Sequence, residues 1–95
     1  MKNKFEYDDW MMFVDVETSS VKVVKDGESR RYHLGNKIVN TIQEGEYVDI
    51  HVENGNFYSF KFEIDDALIA DIYDSNEEFV DTFACYYFGE ENYEL

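Results

Sequence analysis

The chain of 95 residues contains no proline. No Pro-rich linker divides it, and it has no repeat or low-complexity segment, so no internal boundary is expected. Residues 1–95 read as a single acidic globular domain, with residues 90–95 as a frayed tail. The one cysteine, Cys85, excludes an internal disulfide and implies no oxidising compartment. Long apolar runs are missing as well. "KNKFEYDDW" after Met1 lacks the apolar region of a signal peptide, and no run reaches membrane-spanning length. A cytoplasmic protein is the expectation.

Cations are scarce, and their scarcity is uneven. Residues 1–45 carry eight Asp/Glu against seven Lys/Arg, whereas residues 46–95 carry fourteen against Lys61 alone. That balance contradicts direct nucleic-acid binding, which needs Lys/Arg to displace counterions from phosphates. A Gly-rich phosphate loop is absent. The two histidines, His33 and His51, stand at no zinc-ligand spacing with Cys85. Cys85 itself reads as a small buried residue in an acidic neighbourhood that opposes a thiolate. "DSNEE" from Asp74 has a faint likeness to a calcium loop. It lacks glycine at the sixth position, and its twelfth position is Cys85 instead of glutamate. With twenty-two acids in the chain, carboxylate pairs carry no specificity for glycoside chemistry. No catalytic, cofactor or metal constellation is expected, and the chain reads as a non-enzyme.

What the chain does have is aromatic area and acid. A net charge of −14 with low mean hydropathy favours disorder. An aromatic share of 18% and periodic apolar runs tip the balance toward a buried core. "DWMMFVDVET" alternates, with Trp10, Met12, Val14 and Val16 on one face of a strand. "SVKVV" continues as a second strand, and "KDGESRR" turns at Asp26-Gly27 into a short third strand through Arg31–His33. In "NKIVNTIQEG" the period shifts: Leu34, Ile38 and Ile42 fall on one helical stripe, with Asn36 as N-cap and Gly45 beyond the C-terminus.

"EYVDIHVENGNFYSFKFEI" reads as a hairpin. A three-residue loop, Asn54-Gly55-Asn56, keeps Lys61 off the buried face. It opposes Val52 with Tyr58, Ile50 with Phe60 and Val48 with Phe62, with Asp49 across from Lys61. "DDALIADIY" again suggests a helix, with Asp65 and Asp66 at its start, although so short a run also suits a strand. "SNEEFVDTFACYYFG" carries a Ser75/Glu78 capping box and an apolar stripe of Phe79, Phe83 and Tyr87 closed by Gly89. The expected class is therefore α+β: a small antiparallel sheet of four to five strands with two to three short helices.

On that layout Phe60, Phe62, Phe79 and Phe83 belong to the core. Asp65, Asp66, Asp71, Asp74, Glu77, Glu78 and Asp81 form a carboxylate stripe, with Glu90 and Glu91 in the tail and Tyr73 and Tyr86 exposed beside it. Single-sign crowding costs stability through self-repulsion, so a basic partner is the expected reason for keeping it. In size, acidity and α+β layout the chain resembles the small DNA-mimic proteins of phages and mobile elements that block restriction, CRISPR or DNA-repair enzymes. The resemblance is one of overall character and assigns no individual residue. It implies an inhibitor whose carboxylates stand where phosphates stand in the groove of a nucleic-acid-binding enzyme, with a homodimer as one way to extend the acidic surface. The alternative is an acidic interaction or immunity module whose basic partner does not bind nucleic acid.

Overall fold

Apolar and polar residues alternate along most of the chain, and the computed structural model resolves that alternation into nine antiparallel strands. It describes residues 1–63 and 67–88. In chain order the strands are β1 (Lys4–Tyr7), β2 (Trp10–Asp15), β3 (Ser20–Lys25), β4 (Glu28–His33), β5 (Ile38–Glu44), β6 (Tyr47–Val52), β7 (Phe57–Phe62), β8 (Ala67–Tyr73) and β9 (Phe79–Tyr87). They form two meanders: a four-stranded sheet β1-β2-β3-β4 and a five-stranded sheet β5-β6-β7-β8-β9.

The inward faces meet in one core. Trp10 stacks on Phe62 at 5.3 Å and meets Phe88 edge-on at 5.2 Å. Its indole N–H donates to the Glu63 carbonyl at 3.2 Å, so the ring is buried without an orphaned donor. Met12, Val21, Val23, Val48, Ile50, Phe60 and Leu68 complete the apolar layer. On one side the sandwich is closed by side chains of β5. Thr41 Oγ1 donates to the Lys2 carbonyl at 2.7 Å, and Gln43 Nε2 to that of Glu6 at 3.0 Å, covering backbone groups that an edge strand leaves open. Tyr58 ties the crossover segment to the second sheet, its hydroxyl donating to the Leu34 carbonyl at 2.9 Å.

Among the described residues there is no helix, which overturns the α+β expectation. The stretches read as helical from 36, 65 and 75 are the strands β5, β8 and β9. Two of them carry bulges. β5 skips Val39 between Ile38 and Asn40 in its pairing with β6. β9 holds two extra residues against β8: Phe83 between the pairs Ala70↔Ala84 and Asp71↔Thr82, and Val80 between Ile72↔Asp81 and Tyr73↔Phe79. Each extra residue advances the two-residue alternation by one. Apolar side chains then recur three or four apart, as they do on a helix. β8 is misleading for a different reason: it lies between β7 and β9, with apolar residues on both faces. Composition points the other way, since Ile38, Val39, Thr41, Ile42, Val80 and Thr82 are β-branched and β9 is rich in aromatics.

The β6–β7 hairpin keeps the expected faces but not the expected register. Val48 pairs with Phe60, Ile50 with Tyr58 and His51 with Phe57, while Tyr47, and not Asp49, lies opposite Lys61. The loop is Glu53-Asn54-Gly55. Gly55 N–H donates to the Val52 carbonyl and Val52 N–H to that of Asn56, both at 3.0 Å, with Gly55 at φ +96°. Sliding the pairing by one step on each strand leaves the facing unchanged, so facing alone did not select the register.

Candidate partner-binding surface

The boundary between the two sheets is also a boundary in charge. Residues 1–37 hold seven Asp/Glu and seven Lys/Arg, while residues 38–95 hold fifteen Asp/Glu and Lys61. The first group builds β1 to β4, and the second begins with β5. The entire net charge of −14 therefore belongs to the half of the chain that forms the five-stranded sheet. Lys61 is already engaged. Its ammonium lies 3.2 Å from Glu63, 3.8 Å from Glu46 and 5.7 Å from the Tyr47 ring centroid. The hydrogen bond to Glu63 raises its pKa above the ordinary lysine value, so it stays charged and paired.

The outer face of this sheet is built in rows across the strands. One row runs Asn40, His51, Phe57, Tyr73, Phe79. His51 and Phe57 stack at 4.9 Å, Phe57 and Tyr73 at 5.4 Å, and Phe79 meets Tyr73 edge-on at 6.1 Å. Rings stacked on one another across strands turn their edges to solvent. The row thus strengthens the sheet and is not a flat platform for bases. The adjacent row runs Ile42, Asp49, Ser59, Asp71, Thr82. Asp49 and Asp71 flank Ser59 two strand spacings apart, about 10 Å. Asp49 Oδ1 is shielded from solvent and has no hydrogen-bond partner among the described residues.

At the end of the sheet nearest the aromatic row, the β8–β9 turn repeats the geometry of the β6–β7 turn. Glu77 N–H donates to the Asp74 carbonyl and Asp74 N–H to that of Glu78, both at 2.9 Å. Asp74 Oδ1 accepts from the Asn76 and Glu78 amides at 2.8 and 3.0 Å. The Ser75/Glu78 pair is therefore part of a hairpin turn and not a helix cap. The two tips touch: a Cβ placed on Gly55 would lie 3.7 Å from that of Ser75.

Asp71, Asp74, Glu77 and Glu78 thus gather on this sheet face and its turn, whereas Asp81 pairs with Ile72 in the row of the inward-facing Ile50 and Tyr58. Asp71 lies in the sheet, Asp74, Glu77 and Glu78 in the turn, and Asp81 is exposed where β9 leaves it. Asp65, Asp66, Glu90 and Glu91 lie outside the described residues. Tyr73 belongs to the aromatic row. Tyr86 does not join it: it pairs with Leu68 on the inward side, and the Arg30 guanidinium sits 3.8 Å above its ring. Phe79, expected in the core, is 59% exposed, and Cys85 is exposed too. Among the described residues no group of three or more His, Cys, Asp or Glu is placed to hold a metal ion, and no helix is long and apolar enough to cross a membrane. Sequence reading put Asp49 and His51 on the solvent face of this hairpin, but named neither them nor Tyr47 and Phe57 as contact residues. The alternation of "YVDIHV" was the available signal, since Val48, Ile50 and Val52 point inward. No family model, curated protein or solved structure matches the chain.

Proposed function

We propose that the chain is a non-enzymatic, nucleic-acid-mimicking inhibitor, encoded by a phage or mobile element and acting in the cytoplasm. In this reading the five-stranded sheet enters the positively charged groove of a host defence or DNA-processing enzyme, of the kind that anti-CRISPR and anti-restriction proteins block. The observation that carries it is the coincidence of the charge boundary with the sheet boundary, fifteen acids against Lys61 in residues 38–95. A field of one sign concentrated on one body steers a basic partner, with association rates up to about 10⁸–10⁹ per molar per second at low salt. Asp49 and Asp71, on either side of Ser59 in one row, suit lysine or arginine side chains of that partner.

The test is capture from bacterial lysate at low salt, with competition by duplex DNA or structured RNA. The expected partner binds nucleic acid and is released by the competitor. Combined charge reversal, Asp71→Lys, Asp74→Lys and Glu78→Lys, slows association by more than roughly tenfold, because steering is a summed field. Each single reversal does much less. Captured partners that ignore the competitor and have no nucleic-acid function would refute mimicry and favour the acidic interaction or immunity module.

A further inference from the structure

The opposite face of the sandwich is different in kind. On the outer side of the four-stranded sheet, Lys4, Phe13, Lys22 and Arg31 stand in one row across β1 to β4. Three of the eight cations in this acidic chain are thus aligned, and Lys22 and Arg31 are directly opposite one another. Like charges opposed across an antiparallel pair are destabilising. Neither of these two makes an ion pair within 4 Å among the described residues, whereas Lys4 has Glu6 at 3.7 Å.

The row does not splay away from itself. Lys4 and Lys22 hold their ammonium groups 5.9 and 5.6 Å from the Phe13 centroid. Arg31 Nη1 donates to Ser20 Oγ at 2.8 Å, and Ser20 is fully buried and bonded in turn to Thr18 Oγ1 at 2.7 Å. Beside the row lies an open groove of about 560 Å³, lined by Phe13, Asp15, Val16, Glu17, Lys22 and Arg31 among others. On the second charged wall Asp15 is held as well, while the Glu17 side chain is exposed. Asp15 Oδ1 accepts from the Glu17 and Thr18 amides at 3.1 and 3.3 Å, and these bonds, led by Thr18, hold its carboxyl below the usual aspartate range.

We propose that this groove binds a small zwitterion with an apolar body, of the free α-amino acid class. Its carboxylate bridges Lys22 and Arg31, its ammonium faces Asp15 and Glu17, and its side chain lies against Phe13 and Val16. A net-neutral ligand uses both charged walls and is not repelled by the −14 of the protein, as a simple anion would be. A bound carboxylate also relieves the mutual repulsion of Lys22 and Arg31, which Asp15 offsets in part at Arg31. The proposal rests on the four-stranded sheet alone and is independent of the partner reading for the other sheet.

The probe is phenylalanine, titrated into the full chain and followed by amide NMR spectra, beside its N-acetyl form (anion only) and its amide (cation only). The expected result is saturable shifts at Phe13, Ser20, Lys22 and Arg31 with phenylalanine, and binding at least roughly tenfold weaker for each blocked form, as loss of one charged hydrogen-bond partner implies. Arg31→Gln weakens phenylalanine binding to a similar extent. Because Arg31 also contacts Ser20, the exposed Glu17→Gln provides a second variant, expected to weaken phenylalanine binding while leaving that of the N-acetyl form unchanged. Non-saturable shifts, equal binding of either blocked form, or indifference to both substitutions would overturn the proposal.

Discussion

Gly55 and Glu77 occupy the same place in two copies of one three-residue turn, at φ +96° and +63°. Glycine reaches this left-handed region at no steric cost, whereas a glutamate there crowds its Cβ against the backbone. Glu77→Gly is therefore expected to stabilise the fold by about 0.5 kcal/mol, the strain relieved exceeding the extra chain entropy of glycine. Gly55→Glu in the twin turn costs about 1–2 kcal/mol from backbone strain at φ +96°. Urea unfolding of the two variants beside the parent reads both signs. If both substitutions shift the midpoint in the same direction, backbone strain is not what distinguishes the turns. The same residue scale explains why acids were the most legible feature of the sequence. A carboxylate's exposure follows from its hydration cost whatever element carries it, so Glu77, Glu78 and Asp81 reach solvent from a hairpin as they would from a helix.

At the scale of elements, the stretch from Ser75 to Tyr87 shows how one pattern serves two structures. Ser75 and Glu78 have capping-box spacing, yet the hydrogen bonds that order this turn come from Asp74. Ser75→Ala should change stability by less than about 0.5 kcal/mol, where a true helix cap would lose about 1. Asp74→Ala should cost about 1–2 kcal/mol, since two backbone amides lose their acceptor. Thermal unfolding of the pair distinguishes turn from cap. The strands β2, β3, β6 and β7 were legible because nothing interrupts their alternation and tight turns bound them. β5 and β9 were not, because a bulge erases period two over so short a window, and β8 was not, because a strand apolar on both faces has no period to read. The candidate surface suffered with them. Its acids can be read off the sequence one by one, but the aromatic row joining His51, Phe57, Tyr73 and Phe79 becomes visible only once four strands are set side by side.

For the molecule as a whole, a neutral sheet is packed on a strongly charged one. Self-repulsion within residues 38–95 has one cation, Lys61, to offset it, and that cation is held at the rim by Glu46 and Glu63. Added salt should therefore raise the melting temperature, most steeply from tens of millimolar to roughly 0.5 M, where the screening length contracts below the spacing of neighbouring carboxylates. The slope should flatten in the Asp71→Lys, Asp74→Lys, Glu78→Lys variant. A melting temperature indifferent to salt would mean that the carboxylates do not act as one field, and the electrostatic basis of partner binding would fall with it.

Both sheets are meanders, and that has a consequence for how the molecule comes into being. Every strand pairs with its neighbour in the chain, so each ladder closes through a short loop and neither sheet threads the other. During synthesis the net-neutral layer leaves the ribosome first, with Trp10, Met12, Val21 and Val23 as an apolar template, before the last acidic strands exist. Strands that repel one another then have a surface to assemble on. The order of the two halves along the chain is itself a folding instruction.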